Sequence, residues 1–333
     1  MTQFMLISHR RDLDGISSAA LMVRYAAKHR LSPFYLMLKD YSDELQIVED
    51  RVLSVEGAEF MLADLATDQK FIDGVADRLR TLKSRGNRIT WMDHHPTKDS
   101  IVRELSSVVD VLDLRESRVT GSMIVHDRLY EKNGIRDPHA EMLSRLGRDS
   151  DLMELKYDVT PKLVSLIDYY HYVDGDSVFY PDLVQLALHL ASPKVEADER
   201  QLLGEHHLRQ VEYYESLKRS EKDKILRGVE TFRTGGLSFA IFHYPTLFSG
   251  SQISAHVLEA NDVDASVGFN ESGTGSVRRK NERVSCRQIA SLLGGGGHEF
   301  AAGMNLGFEI ADEKDIERAK SVVKEKLREV YPG

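Results

Sequence analysis

Cysteine is nearly absent from this 333-residue sequence, in which Cys286 is the only one. A single cysteine cannot form an intramolecular disulfide bond or a thiolate-rich zinc site, so any bound metal must be held by oxygen and imidazole. Long apolar runs are missing as well, and the apolar start at residues 4–7 soon meets His9, Arg10 and Arg11. This pattern predicts neither a membrane-spanning helix nor a signal peptide, so we expect a cytoplasmic protein without a membrane partner.

The sequence also lacks an excess of positive charge. Its 44 basic residues are outnumbered by 53 acidic ones, which gives a formal net charge of −9. This balance argues against a protein that coats long duplexes by uniform phosphate neutralisation, but it is compatible with a short or small phosphate substrate. The 41% of hydrophobic and 29% of charged residues are typical of a globular protein, here long enough for two domains.

Apolar segments and amphipathic helical segments alternate along the first half of the sequence. The segments 4–8, 34–38, 59–63, 88–92 and 108–112 have the composition of strands, whereas 16–27, 68–84, 119–132 and 138–146 have helical spacing. The alternation predicts an α/β fold with a parallel sheet covered by helices.

Composition divides the chain into three parts. A strongly polar stretch at 195–228 precedes strand-like segments at 239–242, 265–269 and 275–279 and a last helix at 312–329. We therefore predict an N-terminal parallel-sheet domain over 1–193, a helical linker over 194–229 and a smaller C-terminal α/β domain over 230–333. Whether the linker helices pair two chains into a homodimer is left open by the sequence.

Carboxylates and imidazoles occur in four segments, three after predicted strands and the fourth after a helix. They are His9-Arg10-Arg11-Asp12-Leu13-Asp14, Asp64, Asp93-His94-His95 and Asp149-Ser150-Asp151. Ligand sites gather at the carboxyl ends of parallel strands, so these side chains are expected to converge. Converging carboxylates repel one another unless cations neutralise them, and a carboxylate and imidazole set suits Mn²⁺ or Mg²⁺. A metal pair needs a bridging carboxylate, for which the isolated Asp64 is the candidate.

These segments resemble the motifs of the Asp-His-His (DHH) phosphoesterase superfamily, which includes RecJ-type exonucleases, oligoribonucleases that also cleave 3′-phosphoadenosine 5′-phosphate, cyclic-di-AMP phosphodiesterases and family II pyrophosphatases. The resemblance covers residues 1–155. It implies that two divalent cations are held, one by His9, Asp12 and Asp64 and the other by Asp14, Asp64, His94 and Asp149. The expected ion is Mn²⁺, with Mg²⁺ or Co²⁺ as alternatives. Asp93 would orient the neighbouring histidine, and His95 would face the substrate phosphate.

The match to this family has specific departures. The first segment is one residue longer than the His-x-Asp-x-Asp of RecJ-type members. In the fourth, Asp149 and Asp151 compete, and Asp149 is preferred because Asp-Ser resembles the family's usual Asp-Thr. Arg10 and Arg11 are expected to point into solvent, the alternative being a phosphate contact. The segment 117–120 is similar to a hydroxyl-bearing segment that precedes a helix in the family, and it also fits a helix N-cap.

A glycine-rich segment, Gly294-Gly295-Gly296-Gly297-His298, lies in the predicted C-terminal domain. Consecutive glycines expose backbone N–H groups, which predicts an anion-binding nest with His298 as a further donor. The run to Gly303 resembles the Gly-Gly-Gly-His signature of the DHH-associated domain, and that resemblance covers residues 230–333. Five basic residues between 278 and 287 make the region locally positive. The predicted substrate-binding residues are Arg278, Gly295, Gly296, Gly297 and His298.

Together these features predict a metal-dependent phosphodiesterase or exonuclease acting on short oligonucleotides, dinucleotides or related small nucleotides such as nucleoside bisphosphates. The expected partner is therefore short single-stranded RNA or DNA, or a small nucleotide. A RecJ-like exonuclease on single-stranded DNA is one alternative, although 333 residues leave little room for further strand-binding modules. A non-catalytic nucleotide-binding scaffold is the other, although it would gain nothing from keeping repelling carboxylates together.

Overall fold

The computed structural model describes residues 3–31, 33–40, 48–116, 118–175, 180–192 and 198–332. The chain divides into two compact units, Met1–Tyr214 and Glu215–Gly333. The domain boundary expected at 193/194 lies outside the described residues. None of the helices in the described ranges combines the length and the apolar character needed to cross a membrane.

A five-stranded parallel sheet forms the centre of the first unit. Its strand order is β2-β1-β3-β4-β5, with β1 (Phe4–His9), β2 (Phe34–Lys39), β3 (Glu59–Ala63), β4 (Arg88–Asp93) and β5 (Val111–Leu114). The helices that begin in this unit are α1 (Leu13–Lys28), α2 (Ile72–Ser84), α3 (Asp99–Val108), α4 (Gly121–Leu129), α5 (Pro138–Asp151), α6 (Thr160–Asp174), α7 (Pro181–Ala191) and α8 (Glu205–Arg227).

Helices cover both faces of this sheet. Along β1, Phe4 and Leu6 contribute to one hydrophobic core, whereas Met5 and Ile7 contribute to the other. Because successive strand side chains point to opposite faces, a strand with both faces buried must be apolar throughout. The segment 4–7 is apolar for this reason, and the predicted α/β fold is confirmed.

The predicted strand at 108–112 is wrong in its first residues. Ile101, Leu105 and Val108 are buried and recur at spacings of four and three, so they form the inner face of α3. The strand β5 begins only at Val111. The apolar run therefore combines the end of a helix with the start of a strand, and composition alone did not separate the two.

The second unit contains a mixed six-stranded sheet in the order β10-β11-β9-β8-β7-β6, in which β7 and β8 are parallel and the other neighbours antiparallel. Its strands are β6 (Glu230–Thr234), β7 (Leu237–His243), β8 (Ala265–Phe269), β9 (Thr274–Arg279), β10 (Gly296–Gly297) and β11 (Ala301–Asn305). Its helices are α9 (Gly250–Ala260), α10 (Cys286–Leu292) and α11 (Glu313–Val330). A core of its own includes Phe239, Val267 and Val323.

The neighbouring strands β1, β3 and β4 end at one edge of the parallel sheet. Asp12 and Asp14 follow β1, Asp64 follows β3, and His94 follows β4. Because parallel strands share the direction of their carboxyl ends, residues far apart in sequence come together at this edge.

Candidate metal centre

Asp64 lies at the centre of the acidic and imidazole side chains. It is 1% exposed, and among the described residues no hydrogen bond of good geometry reaches its carboxylate oxygens, which the imidazoles of His9 and His94 approach. Its backbone φ is 56°, a left-handed conformation that costs an L-residue about 1–2 kcal/mol. A buried carboxylate without hydrogen-bond donors is costly unless positive charge compensates it. The position of Asp64 therefore fits a ligand of a cation.

The two oxygens of Asp64 face different imidazoles. Oδ2 lies 3.7 Å from Nδ1 of His9, and Oδ1 lies 3.2 Å from Nε2 of His94. Nδ1 of His9 is also 3.1 Å from Oδ2 of Asp12, and Nε2 of His94 is 3.9 Å from Oδ2 of Asp14. Neighbouring ligands at about 2.1 Å from an octahedral ion are about 3 Å apart. The distances of 3.1 and 3.2 Å match this spacing, whereas those of 3.7 and 3.9 Å are longer.

Two sets of side chains could each hold a metal ion, and they share Asp64. The first set is His9, Asp12 and Asp64, and the second is Asp64, His94 and His95; in each set the ligand atoms lie within 4.8 Å of one another. Oxygen and imidazole donors without thiolate are the set that suits Mn²⁺ and similar divalent ions. His9 and Asp12 are separated by one residue more than in the His-x-Asp-x-Asp motif. Their side chains nevertheless lie close together, with Nδ1 of His9 near Oδ2 of Asp12.

Titratable groups around Asp64 have pKa values that reflect this crowding. Burial lowers the pKa of His9 and of His94, but the approach of carboxylates outweighs it and raises both values to about 9. Burial acts to raise the pKa of Asp64, yet the two imidazoles hold it below its ordinary range. Burial, followed by repulsion from Asp64, raises the pKa of Asp14 to about 8. Negative charge crowded in this way is what divalent cations neutralise at a metal site.

The N-terminus of α4 holds the carboxylate of Asp14. The backbone N–H of Gly121 donates to Oδ2 at 2.6 Å, and the hydroxyl of Ser122 donates to Oδ1 at 2.5 Å. The hydroxyl of Thr120 and the backbone N–H of Ser122 also donate to Oδ1, at 2.8 and 3.1 Å. A helix N-terminus offers unpaired N–H groups and a favourable dipole for an anion, so Asp14 is fixed in one orientation.

Glycines make room for the two central carboxylates. A β-carbon at Gly147 would lie 2.6 Å from Oδ1 of Asp14, and a β-carbon at Gly121 would lie 2.9 Å from Oδ1 of Asp64. Real β-carbons do not approach other atoms so closely. Neither glycine occupies a turn that demands glycine, so the close approach itself excludes a larger residue.

His95 contacts the buried carboxylate of Asp93. Nδ1 of His95 lies 2.8 Å from Oδ1 of Asp93. Burial lowers the pKa of His95, but the hydrogen bond with Asp93 outweighs it and raises the pKa. Asp93 thus contacts His95 and can orient its ring, whereas the expectation concerned the adjacent His94.

One solved structure of similar fold is that of exonuclease RecJ bound to manganese. The similarity has a TM-score of 0.54 at 17% sequence identity and covers 98% of this chain and 90% of that chain. The chain has a RecJ-like fold. An exopolyphosphatase-related protein from Bacteroides fragilis matches with a TM-score of 0.42 at 13% identity, covering 100% of this chain and 94% of that chain. Neither a protein-family model nor a curated protein matches the sequence.

Within this RecJ-like fold, Asp149 makes its hydrogen bonds with the segment that follows α5. Its Oδ1 accepts a hydrogen bond from the backbone N–H of Lys156 at 2.7 Å. Its Oδ2 accepts from the hydroxyl of Thr160 at 2.6 Å and from the backbone N–H of Tyr157 at 3.3 Å. Both oxygens thus hold the connection between α5 and α6, and Asp149 is in neither of the two donor sets around Asp64, so its role as a metal ligand stays a prediction.

Asp151, the competing residue of the fourth segment, interacts electrostatically with the group around Asp64. Burial raises the pKa of Asp151, and repulsion from Asp64 and Asp12 adds to this against the attraction of His94. The negative charge of Asp151 also contributes to the raised pKa of His94. These mutual effects place Asp151 within electrostatic reach of the metal centre.

Arg10 is buried, so the expectation that Arg10 and Arg11 both point into solvent is wrong for the first of them. The guanidinium of Arg10 lies 3.8 Å from the centre of the Tyr180 ring, and Nη2 is 3.2 Å from Oδ2 of Asp40. Arg11 pairs with the same carboxylate through Nε while its side chain stays largely exposed. Both arginines thus form ion pairs with Asp40.

The glycine-rich segment of the RecJ-like fold is not an open nest of consecutive N–H groups. Gly294, with a φ of 70°, follows α10 in the left-handed conformation typical of a helix end. The N–H of Gly295 donates to the carbonyl of Ala290, and the N–H of His298 donates to Ala301, both at 2.8 Å. Gly296 and Gly297 form β10, which pairs with β11. The expected nest is wrong to this extent, because helix and hairpin use two of its donors.

Arg278 lies on β9 and His298 directly follows β10, and both of these strands pair with β11. Arg278 is opposite Ala301 in the pairing of β9 with β11. Its Nε is buried and has no hydrogen-bond partner among the described residues. A buried guanidinium nitrogen without a partner fits an anion contact, so the side chains rather than the glycine backbone are the stronger candidates here.

Sequence reasoning did not identify three residues around Asp14 and Asp64. They are Gly121, Ser122 and Gly147. The sequence signal that pointed to this region was the hydroxyl-bearing segment 117–120, which directly precedes Gly121. Ser117 itself lies outside the described residues. Thr120 occupies the N-cap position of α4, but its hydroxyl donates to Asp14 and makes no side-chain cap.

Proposed function

We propose that the protein is a metal-dependent phosphodiesterase that hydrolyses short oligonucleotides or related small nucleotides. The observation that carries the proposal is the position of Asp64, whose two oxygens face two separate donor groups. His9 and Asp12 lie on one side, and His94 and Asp14 lie on the other. Two divalent cations, Mn²⁺ first and Mg²⁺ or Co²⁺ as alternatives, fit these donors.

Divalent cations at this site would polarise the phosphoryl group and lower the pKa of an attacking water. The residues of the chain hold the donors in place. Oδ1 of Asp12 accepts a hydrogen bond from the backbone N–H of Gly15 at 2.9 Å and caps α1, while Oδ2 faces His9. Asp14 is oriented by α4, and Asp64 is shared by both sides. Preorganisation of this kind avoids rearrangement during the reaction.

His95 is the proposed donor to the substrate phosphate. Its Nδ1 faces Asp93, so Nε2 is the nitrogen that would face the phosphate, and the hydrogen bond with Asp93 raises the pKa of the imidazole. A protonated imidazole directed at a phosphoryl oxygen would stabilise the negative charge that develops in the transition state. Asp93 is accordingly a positioning residue for His95.

In the second unit, the side chains of Arg278 and His298 are proposed to bind a phosphate of the substrate. The basic stretch 278–287 is short and the chain as a whole carries a net charge of −9. Such a limited positive region suits few phosphates better than a long strand. The RecJ structure is that of an exonuclease bound to manganese, which supports a nucleic acid substrate and Mn²⁺ for this chain.

A RecJ-like exonuclease acting on single-stranded DNA is the second candidate. The observation that favours it is the extent of the structural similarity, which covers 98% of this chain and 90% of the RecJ structure. The two candidates differ in substrate length, because a processive enzyme degrades long strands without releasing them.

The test is hydrolysis by the purified full chain with Mn²⁺, using labelled RNA and DNA from dinucleotides to long strands together with cyclic nucleotides and nucleoside bisphosphates. We expect the highest rate on the shortest oligonucleotides and none in EDTA. Asp64→Asn should abolish the activity, whereas Asp77→Asn, at an exposed position on α2, is the matched control. Uniform degradation of long DNA would favour the RecJ candidate. No hydrolysis of any substrate would favour a nucleotide-binding scaffold.

A further inference from the structure

A three-residue turn between β10 and β11 holds two parallel aromatic rings. Gly297 pairs with Ala302 across the hairpin, and the turn consists of His298, Glu299 and Phe300. The ring centroids of His298 and Phe300 are 5.5 Å apart, and the ring planes differ by 8°.

Phe300 is largely open to solvent. It is 61% exposed, although its ring is arranged in parallel with that of His298. Small and polar residues dominate tight turns, so an exposed phenylalanine is unusual there. A single exposed apolar residue needs no explanation by itself, but here its ring is stacked in parallel with that of His298.

Basic groups lie around these two rings. Arg278 is in register with Ala301 on the neighbouring strand, and Nε of Arg287 donates a hydrogen bond to the carbonyl of Gly297 at 3.0 Å. The carboxylate of the turn, on Glu299, is 3.6 Å from Nε of Arg287, which offsets its charge. An aromatic face beside guanidinium groups suits a ligand that combines a π-system with a phosphate. A nucleotide has both.

We propose that Phe300 stacks on the nucleobase of the bound nucleotide. The inference rests on the proposed function, since it names the part of that substrate which the second unit recognises. Every base has a π-face, so stacking on Phe300 binds a nucleotide with little regard to its base. This is a useful property for an enzyme that acts on short fragments of mixed sequence.

The test compares the binding of 5′-AMP and ribose 5-phosphate to the full chain by calorimetry in EDTA. We expect the wild-type protein to bind AMP more tightly, and Phe300→Ala to weaken AMP binding about tenfold while leaving ribose 5-phosphate unchanged. Phe300→Trp should keep the AMP affinity, whereas Phe300→Leu should lose it because leucine has no π-system. Tyr213→Ala removes an aromatic that is 59% exposed in the first unit and is the matched control.

Three results would overturn the inference. The first is equal affinity of the wild-type protein for both probes, and the second is the absence of AMP binding. The third is that Phe300→Ala lowers the affinity for AMP and for ribose 5-phosphate by the same factor. The last would show that Phe300 acts through His298 and not on the base. Because EDTA removes divalent metal, binding is measured independently of hydrolysis. A Phe300-dependent preference for AMP without any phosphodiesterase activity would contradict the proposed function alone.

Discussion

A β-carbon at Gly121 would lie 2.6 Å from the β-carbon of Asp64. This close approach brings the start of α4 against the end of β3, and the N–H of Gly121 reaches Asp14 from the same position. One glycine therefore serves both central carboxylates. Its role is steric with respect to Asp64 and electrostatic with respect to Asp14.

Replacing Gly121 with alanine should disturb the metal centre more than the fold. We expect Gly121→Ala to reduce Mn²⁺-dependent hydrolysis strongly and to lower the free energy of unfolding by about 1–3 kcal/mol, because the added methyl displaces Asp64. Activity assays and urea unfolding measure the two effects. Gly204→Ala is the control, since a β-carbon there meets no atom within 4 Å. Full activity in Gly121→Ala would contradict the steric argument.

Asp64→Asn should remove the response of the protein to metal. In the wild-type protein, Mn²⁺ at about 100 times its dissociation constant should stabilise the fold by about 2.7 kcal/mol. In Asp64→Asn, the thermal unfolding temperature should no longer change with Mn²⁺, and activity should fall more than about 100-fold because both donor groups lose a shared ligand. If the thermal unfolding temperature of Asp64→Asn still rose with Mn²⁺, Asp64 would not be the ligand shared by the two donor groups.

Asp149→Asn should lower the stability of the fold, whereas Asp151→Asn should weaken the binding of Mn²⁺. An asparagine at 149 loses an acceptor oxygen for the N–H of Lys156 or the hydroxyl of Thr160, so we expect a loss of about 1–3 kcal/mol in stability. Asp151→Asn should change metal-free stability by less than about 0.5 kcal/mol and weaken Mn²⁺ binding about tenfold or more. Unfolding and calorimetry distinguish the two variants. The reverse pattern would assign the ligand role to Asp149.

Stability in acid should depend on Asp137, which caps α5 and binds Arg24 through both oxygens at 2.9 and 3.0 Å. Burial raises the pKa of Asp137, but the contact with Arg24 outweighs it and lowers the pKa. A lowered pKa in the folded state contributes stability above the ordinary value of about 3.9, and this is lost as pH falls through the folded value.

Asp137→Asn keeps a side chain that can cap a helix, but it removes this acid-sensitive contribution. The stability difference between the wild-type protein and Asp137→Asn should therefore shrink as pH falls below about 4. Urea unfolding at neutral pH and at several acidic values measures the difference. A difference that is independent of pH would exclude the ion pair as its cause.

Local patterns predicted much of the fold correctly. The strands β1, β3, β4 and β8 were recognised because buried strands are apolar over a short span, and that property is visible in adjacent residues. The boundary between α3 and β5 was not recognised, since Val108 continues the apolar run of the strand while it belongs to the helix. The pairing of β10 with β11 was also missed, because two glycines carry no side-chain pattern.

The amino-acid sequence alone determined the type of chemistry available at this site: carboxylates and imidazoles at strand ends, with one cysteine in the chain and a locally basic glycine-rich segment. The tertiary structure decided which of these groups meet. It directed Asp149 to Lys156 and Thr160 and left Asp151 within electrostatic reach of His94, although only Ser150 separates the two aspartates in the chain. The physical reason is that a side chain's direction depends on the backbone conformation and on partners from distant segments, which neighbouring residues in sequence do not reveal.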